Sequence, residues 1–315
     1  MTSKPVIIVT GADLAPEALA LLGDYEVAFA GRTPQAADLV ALARKHNPVG
    51  MIVRYGSVTA EVMDAAPALK VISKHGTGTD TIDKAAAQAR GITVTAAAGA
   101  NAAAVAEHAL ALMLACAKSV VKLDARMHAG HWDKATHKSL ELNGLTVGLI
   151  GLGAIGRRFA RMCDAIGMRV IGFDPFAADL PDYIEAVPLD KIWEASDVIS
   201  LQCPLTADNK EMVNAATLAR CKPGVILINT ARGGLIDEAA LFQAVQSGRV
   251  AAAGLDSFAR EPMSAPHIFQ RQPGFVLSPH IGGVTSAAYV NMGVAAATNT
   301  VAVLNSVREP AVGQQ

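Results

Sequence analysis

Three polar residues in the second half of the chain have the chemistry that reduction of a ketone requires. Arg232 follows the apolar run GVILINT, Glu261 follows VAAAGLD, and His280 ends the run FVLSPH. A histidine can donate a proton to a forming alkoxide near neutral pH, and a neighbouring carboxylate raises its pKa and fixes its tautomer. An arginine can bind a substrate carboxylate through two parallel hydrogen bonds. The three residues predict an acid–base site, although each alone also fits a surface, loop or strand-end position.

A glycine-rich turn precedes these residues in the chain. The stretch VGLIGLGAIG holds Gly151, Gly153 and Gly156 in the spacing G-x-G-x-x-G, which is weak evidence alone because the chain has 27 glycines in 315 residues. An apolar strand pattern before it and a helical pattern after it are typical of a dinucleotide-binding turn. The first glycine permits the bend, the second admits a pyrophosphate, and the third lets the helix approach the strand. The N–H groups of Ala154 and Ile155, at the start of the helix, are expected to face the phosphates.

A second dinucleotide signal is Asp174, which ends the next strand pattern, RVIGFD, eighteen residues after Gly156. A carboxylate at this position accepts hydrogen bonds from ribose hydroxyls and repels a 2′-phosphate. Pro175 and Phe176 follow it directly, in place of an arginine that would accommodate that phosphate. We therefore predict NAD as the cofactor in preference to NADP. The alternative is a structural turn with an incidental aspartate.

The elements that must position these residues follow an alternating pattern. Short β-branched runs alternate with Ala- and Leu-rich helical stretches, as in βαβ units whose parallel sheet is covered on both faces. We predict one long helix over 102–127 and a last helix over 287–306. The fold class predicted is α/β, with two doubly wound parallel-sheet domains. The strand patterns are PVIIVT, YEVAFAG, GMIVRY, KVISKHG and ITVTAA in the first hundred residues, then TVGLIG, RVIGFD, DVISLQ, GVILINT, VAAAGLD and FVLSPH.

Composition excludes several classes of protein. A hydrophobic fraction of 51% argues against disorder, and a net charge of −1 without a basic block argues against a nucleic-acid partner. The four cysteines are far apart and form no C-x-x-C pair, so we expect reduced thiols and no metal site. The N-terminal apolar run is too short for a signal peptide, and Glu107 and His108 interrupt the alanine-rich stretch 102–117. We predict a cytoplasmic protein without a membrane partner.

Several long motifs resemble the D-isomer-specific 2-hydroxyacid dehydrogenase family over nearly the whole chain. The resemblance implies NAD-dependent hydride transfer between a 2-keto acid and a D-2-hydroxy acid. It implies that His280 is the acid–base, Glu261 its partner and Arg232 the arginine that orients the substrate. A homodimer is implied as well. The motifs, in order, are NAAAVAEHALALML, VGLIGLGAIG, LQCPLT, LINTARGGLIDEAAL, AGLDSFAREP and LSPHIGG.

The same resemblance implies a domain organisation and further cofactor contacts. A flavodoxin-like substrate-binding domain is expected over 1–98 and 288–315, and a Rossmann NAD-binding domain with a dimerisation helix over 99–287. Asp256 is expected to face the nicotinamide carboxamide. The other residues expected to line the cofactor are Cys203, Pro204, Thr230, Ala231, Gly282 and Gly283, together with Arg232 and His280.

The loop SKHGTGTD is a candidate substrate-binding segment. The resemblance implies that backbone N–H groups near Gly76, Thr77 and Gly78 hold the substrate carboxylate, which backbone donors can do without basic side chains. A turn that needs glycine for its backbone conformation accounts for the same residues.

Three basic residues end neighbouring strand patterns of the first hundred residues. Arg54 ends GMIVRY, and Lys74 and His75 end KVIS, so together they predict a cationic rim. In the phosphoglycerate dehydrogenase branch of the family, an arginine at the position resembling Arg54 helps to bind a phosphate. We therefore predict substrate-binding roles for these three residues, toward a second anionic group such as phosphate, sulfonate or carboxylate. The alternative is that Lys74 and His75 face solvent or pair with acids.

The substrate stays open between several readings. Tyr55 stands where the phosphoglycerate branch often has a small polar residue, which argues against a phosphate. A glyoxylate or hydroxypyruvate reductase acting on short neutral substrates is one alternative. A non-catalytic, NAD(H)-sensing protein, like the corepressors built on this scaffold, is the other, because a fold does not specify a function.

Overall fold

The computed structural model describes residues 4–308 of the chain. The chain divides into two compact units, the first formed by Met1–Asn101 with Val284–Gln315 and the second by Ala102–Gly283. These limits lie a few residues from the predicted divisions at 98/99 and 287/288. Residues 309–315, which belong to the predicted segment 288–315, lie outside the described residues, as do residues 1–3. The assignment of the two parts to substrate and cofactor stays a prediction.

A parallel sheet of five short strands forms the centre of the first unit. Its strands are β1 (Val6–Val9), β2 (Glu26–Phe29), β3 (Gly50–Val53), β4 (Val71–Lys74) and β5 (Thr93–Ala96). They lie in the order β2-β1-β3-β4-β5, all parallel. All four residues of β3 are buried, as expected for a strand covered on both faces. The helices between the strands are α1 (Pro16–Leu21), α2 (Ala36–His46), α3 (Ala60–Asp64) and α4 (Lys84–Ala89).

The second unit contains a longer parallel sheet and its helices. The helices are α5 (Ala102–Lys118), α6 (Val120–His128), α7 (Ala154–Ala165), α8 (Leu189–Ala195), α9 (Ala215–Arg220) and α10 (Glu238–Gln246). The strands are β6 (Thr146–Ile150), β7 (Arg169–Phe173), β8 (Ile184–Ala186), β9 (Val198–Leu201), β10 (Val225–Asn229), β11 (Val250–Leu255) and β12 (Phe275–Leu277). They lie in the order β12-β11-β10-β9-β6-β7-β8.

The predicted fold class is confirmed. The second sheet has the doubly wound order of dinucleotide-binding folds, extended by one strand at its β12 edge, and the first has the flavodoxin-like order. The strand that sequence reasoning missed is β8, which is only three residues long and has two of them exposed. A strand at a sheet edge with one buried side chain leaves almost no hydrophobic pattern to detect.

The prediction of one unbroken helix over 102–127 is wrong. Ser119 adopts a left-handed conformation with φ of 54°, and α5 and α6 meet there at an angle of 62°. Half of α5 is buried and it packs on β10 and β11, whereas no residue of α6 is buried. The absence of glycine and proline did not reveal the break, because a serine occupies the left-handed position.

The last helix of the chain, α11 (Ser286–Arg308), belongs to the first unit. It packs against α1, β3, β4 and β5. Among the described residues it is long and apolar enough to cross a membrane by length and composition, and α5 with α6 would pass the same test only as a bent pair. Its buried apolar residues Ala296, Ala297 and Leu304 belong to the core of the first unit.

Candidate active site

The glycine turn of the second unit lies at the carboxyl end of β6, where the order of the sheet reverses between β6 and β9. Gly151 has φ of +103°, and a Cβ built on it would lie 2.6 Å from the carbonyl carbon of Gln202. A Cβ on Gly156 would lie 2.1 Å from the carbonyl oxygen of Gly151. Only glycine is compatible with these two positions, and ligands of open α/β sheets bind at such a reversal.

Gly153 differs from the other two glycines of the turn. A Cβ on it would meet no described heavy atom within 4 Å, so open space lies over this residue. Gly153 is the N-cap of α7, which begins at Ala154. The N–H groups of Ala154 and Ile155 belong to the first helical turn and have no intrahelical acceptor. The open space and these donors fit a pyrophosphate of a dinucleotide cofactor.

Asp174 follows β7 and is fixed by two backbone donors. Leu152 N–H donates to Asp174 Oδ2 over 2.8 Å, and Phe176 N–H donates to Oδ1 over 2.9 Å. These bonds link the carboxylate directly to the glycine turn, and each oxygen keeps a further lone pair for a hydroxyl. The position therefore fits the ribose of a dinucleotide. The neighbouring Phe176 side chain is 94% exposed.

The segment after β9 carries two predicted cofactor residues, Cys203 and Pro204. Asn209 Nδ2 donates to the carbonyl of Pro204 over 2.8 Å. Burial raises the pKa of the Cys203 thiol to about 11, so it is neutral at pH 7 and not an activated nucleophile. Gln202 Nε2 donates to Thr230 Oγ1 over 3.0 Å and so connects this segment to the end of β10.

A buried asparagine shapes the turn that carries Ala231 and Arg232. Asn229 is fully buried at the end of β10, where its Oδ1 accepts from Ala231 N–H over 3.0 Å and its Nδ2 donates to the Arg232 carbonyl over 3.0 Å. The Arg232 guanidinium in turn donates to the carbonyl of Ala231 over 2.8 Å. Sequence reasoning missed Asn229, since an amide at a strand end carries no distinctive spacing.

His280 and Glu261 form a direct pair. Glu261 Oε2 lies 2.6 Å from His280 Nδ1, and Glu261 Oε1 accepts from the N–H of Phe258 over 3.0 Å. The hydrogen bond to Glu261 outweighs partial burial and raises the pKa of His280. Partial burial raises the pKa of Glu261, but hydrogen bonds from His280 and Phe258 outweigh it, and the net effect is a lowered pKa. The charged form of both groups is therefore favoured.

A cavity of about 600 Å³ lies beside this pair. Such a volume lies within the usual range of small-molecule sites, and its mostly apolar wall strengthens charge interactions within it. The cavity is lined by Phe258, Glu261, Pro262, Met263, Leu277, Ser278, Pro279 and His280.

Asp256 anchors the loop that carries His280. Asp256 is only 2% exposed. Its carboxylate accepts hydrogen bonds from Ser278 Oγ over 2.6 Å, Ile281 N–H over 2.9 Å and Gly282 N–H over 2.8 Å. The turn ends with Gly283. These three bonds occupy both carboxylate oxygens, so the predicted contact of Asp256 with a nicotinamide carboxamide stays a prediction.

One contact to this loop comes from α5 and was missed in the sequence. His108 Nε2 lies 2.8 Å from Ser278 Oγ and 3.3 Å from Asp256 Oδ1. A single histidine within an apolar helix gives no sequence signal for such a contact. No group of three or more His, Cys, Asp or Glu side chains within residues 4–308 is arranged to hold a metal ion.

The first unit contains the residues predicted to bind substrate, and the predicted cationic rim needs correction. Burial and then the charge of Arg54 lower the pKa of His75 to about 4, so His75 is neutral at pH 7 and contributes no positive charge. Arg54 forms an ion pair with Asp13. Lys74 Nζ donates to the carbonyl of Arg54 over 3.2 Å. The predicted positive charge is therefore wrong for His75, and the charge of Arg54 is balanced by that of Asp13. Substrate-binding roles for Arg54, Lys74 and His75 stay predictions.

The loop after β4 has a glycine where its conformation requires one. Gly76 has φ of +148°, and its carbonyl accepts from Ala97 N–H over 2.9 Å. Thr77 is exposed and Gly78 is half-buried. Both readings of this loop, a substrate-binding turn and a structural one, are compatible with this arrangement.

Comparison with known proteins identifies the family. The model of the NAD binding domain of D-isomer specific 2-hydroxyacid dehydrogenases matches residues 110–282. Hydroxypyruvate reductase of Thermotoga maritima is 41% identical over 249 residues, which cover 78% of this chain and 81% of that protein. This chain belongs to the D-isomer-specific 2-hydroxyacid dehydrogenase family.

Other members of the family differ in length and name. D-3-phosphoglycerate dehydrogenase of Mycobacterium leprae is 38% identical over 288 residues, and the match covers 90% of this chain. The chain spans 54% of that relative, about half its length. The family membership rests on both units of the fold, because solved structures match almost the whole chain.

Two solved structures illustrate that likeness. A protein from Thermus thermophilus has a TM-score of 0.88 at 36% identity, covering 96% of this chain and 97% of that one. An NADPH-dependent glyoxylate/hydroxypyruvate reductase from Sinorhizobium meliloti, solved with NADP and malonate, has a TM-score of 0.83 at 31% identity. It covers 96% of this chain and 95% of its own. Family membership therefore implies a nicotinamide cofactor but not the choice between NAD and NADP.

Proposed function

We propose that this member of the family is an NAD-dependent dehydrogenase that interconverts a 2-keto acid and a D-2-hydroxy acid. The observation that carries the proposal is the hydrogen bond of 2.6 Å between His280 and Glu261 beside the cavity. A histidine paired with a carboxylate beside a cavity is the arrangement that a general acid–base requires. Perturbed pKa values in a cleft are typical of catalytic groups.

The residues account for the proton and the orientation of the substrate. A nicotinamide cofactor, held by the glycine turn and Asp174, would supply the hydride that reduces C2 of the keto acid. His280, whose protonated form is favoured by the bond to Glu261, donates its proton to the carbonyl oxygen as the C–O double bond is reduced. Arg232, on the turn held by Asn229, is the guanidinium that we assign to the substrate carboxylate. In the reverse direction neutral His280 accepts the hydroxyl proton.

The preference for NAD is assigned to Asp174. Its carboxylate is fixed beside the glycine turn by Leu152 and Phe176 N–H groups, so it cannot turn away from a ligand without breaking both bonds. A fixed negative charge accepts the ribose hydroxyls and repels a 2′-phosphate. We therefore propose NAD over NADP.

The proposal includes two substrate classes, and the charges of the first unit support one of them. A second anionic group, as in a 3-phosphoglycerate dehydrogenase, would be attracted by positive charges at Arg54, His75 and Lys74. Arg54 is paired with Asp13 and His75 is neutral, so this attraction is weaker than three positive charges would give. A short keto acid such as glyoxylate or hydroxypyruvate is therefore the better candidate.

The experiment that tests the proposal follows NADH oxidation at 340 nm by the purified protein. The panel contains glyoxylate, pyruvate, hydroxypyruvate, 3-phosphohydroxypyruvate and oxaloacetate, each with wild type and His280→Gln. We expect turnover in the wild type and a loss of kcat of about 100-fold or more in the variant. Tight NADH binding without turnover of any compound would reject the proposal and favour an NAD(H)-sensing protein.

A further inference from the structure

Two polar residues of the first unit lie where its sheet order reverses. In the order β2-β1-β3-β4-β5 the reversal falls between β1 and β3. Asp13 lies in the segment after β1, and Arg54 directly follows β3. Ligands of doubly wound sheets bind outside the carboxyl ends of the strands at this point. The pair therefore occupies the position in this unit where contact with a ligand is most expected.

The surroundings of Arg54 hold its side chain in one place. Its Nη1 donates to the carbonyl of Asp13 over 2.6 Å and pairs with the Asp13 carboxylate. Its Cζ lies 4.9 Å from the ring centre of Tyr289 and 5.3 Å from that of Tyr55. A Cβ on Gly11 would lie 3.0 Å from Arg54 Cδ, so glycine leaves room for the side chain.

The two members of the pair differ in their exposure to solvent. The Arg54 side chain is 12% exposed, whereas the Asp13 side chain is 68% exposed. The two aromatic rings and the backbone cover the guanidinium, and the carboxylate is left on the outside. An approaching ligand group therefore meets the negative member of the pair first.

Asp13 is kept in its charged form. Tyr289 O–H donates to Asp13 Oδ1 over 2.9 Å, and this bond, followed by that from Arg54, lowers the pKa of Asp13. Arg32 adds a weaker favourable charge. A carboxylate accepts hydrogen bonds but donates none, so it complements a hydroxyl and repels a phosphate or a sulfonate. The Arg54 charge that would attract such an anion is already paired.

We infer that Asp13, held by Arg54 and Tyr289, is a specificity-determining residue that selects a 2-keto acid with a hydroxyl at C3 and disfavours an anionic group there. This inference rests on the proposed function and names the substrate class for it. It also assigns Arg54 a different task from phosphate binding, because Arg54 fixes the position of Asp13 and favours its charged form. Two substitutions separate the parts of this task. Asp13→Asn removes the charge and keeps an acceptor oxygen, whereas Asp13→Ala removes both.

The test compares kcat/KM for hydroxypyruvate, pyruvate and 3-phosphohydroxypyruvate within each protein, so that the fraction of folded enzyme cancels from the ratios. We expect wild type to prefer hydroxypyruvate to the phosphorylated compound by at least about tenfold. Asp13→Asn should raise kcat/KM for 3-phosphohydroxypyruvate relative to that for hydroxypyruvate by about tenfold or more, because Arg54 loses its charged partner. Asp13→Ala should in addition lower the preference for hydroxypyruvate over pyruvate by about tenfold.

The matched control is Asp24→Asn, an exposed aspartate of the same unit, whose ratios should equal those of wild type. Ratios in Asp13→Asn within twofold of wild type would overturn the inference, as would a wild type that prefers the phosphorylated compound. If no keto acid is turned over, the proposed function fails, and calorimetry with the full chain and NADH decides the inference separately. Hydroxypyruvate binding more tightly than 3-phosphohydroxypyruvate then supports it, and the reverse order overturns it.

Discussion

At the residue scale, the bond between His280 and Glu261 determines the charge of the imidazole during catalysis. Because the pKa of His280 is raised, the ring stays protonated to higher pH than an isolated histidine. Reduction of a keto acid consumes that proton, so its rate should persist as pH rises and fall only above the raised pKa. Oxidation of the hydroxy acid needs the neutral ring and should have the opposite dependence.

Glu261→Gln should move this pH dependence downward. The variant removes the largest cause of the raised pKa of His280, so kcat/KM for keto acid reduction should begin to fall at lower pH than in wild type. At pH 8 we expect a loss of about tenfold or more. Steady-state kinetics between pH 5 and 9 measure it, with the exposed Glu17→Gln as control. A uniform loss at every pH would contradict a role in setting the pKa.

Asp174→Ala should relax the cofactor preference. The variant loses charge-assisted bonds to the ribose, so kcat/KM for NADH relative to NADPH should fall by about 10- to 100-fold. The ratio is the readout, because the lost bonds to Leu152 and Phe176 N–H affect both cofactors alike. The exposed Asp182→Ala should leave the ratio unchanged. An unaltered ratio in Asp174→Ala would refute the assignment.

At the element scale, buried polar side chains form hydrogen bonds to the turns that follow two of the parallel strands. Asn229 does this after β10, and Asp256 does it after β11 by binding the loop that follows β12. Each turn then presents one residue of the proposed site, Arg232 in the first case and His280 in the second. His280 has φ of 55°, a conformation that the loop must hold against its intrinsic preference.

Two glycines of one turn should respond differently to alanine. Gly156→Ala places a Cβ 2.1 Å from the carbonyl oxygen of Gly151, so the free energy of unfolding should fall by about 1–3 kcal/mol. Gly153→Ala meets open space, so stability should be close to wild type while the Kd for NADH rises at least about tenfold, since the added methyl stands where the pyrophosphate is proposed to lie. Chemical denaturation and fluorescence titration separate the effects. Tight NADH binding by Gly153→Ala would argue against the proposed site.

At the scale of the whole molecule, each unit has its own hydrophobic core, and one helix of the second unit contributes to neither. No residue of α6 is buried, and Val120, Val121 and Met127 of this helix are more than half exposed, as is the following Trp132. Apolar side chains exposed together on a folded chain are typical of a protein interface. We propose that a second copy of the chain covers this surface in a homodimer.

Val121→Glu with Trp132→Glu should convert the dimer into a monomer. Two carboxylates in a desolvated apolar interface oppose association strongly, so the molar mass by light scattering after gel filtration should halve. The control is Leu21→Glu, which introduces the same charge at an exposed apolar residue of α1. A wild type that is monomeric at every concentration tested would reject the homodimer, and a dimer that survives both substitutions would move it to another surface.

The sequence alone determined the fold class, most of the strands and the family, because the sequence patterns that indicate them are local. Strand and helix periodicity specified the α/β class and nearly all strands. The spacing predicted glycine at 151 and 156 because the backbone comes close there. In the structure a Cβ on Gly151 or Gly156 would lie only 2.6 Å or 2.1 Å from a backbone atom. Motif order alone indicated the family. The hydrophobic pattern and the glycine spacing are properties of neighbouring residues in the sequence, so they can be detected without knowing the fold.

Only the tertiary structure decided the charges and partners of the site. Asp13 and Arg54 lie 41 positions apart in sequence, and nothing near either of them indicates the ion pair that balances the charge of Arg54. The burial that makes His75 neutral, the contact of His108 with Ser278 and the bend at Ser119 depend likewise on distant chain segments. A pKa or an ion pair depends on distances in space, which a residue pattern does not contain.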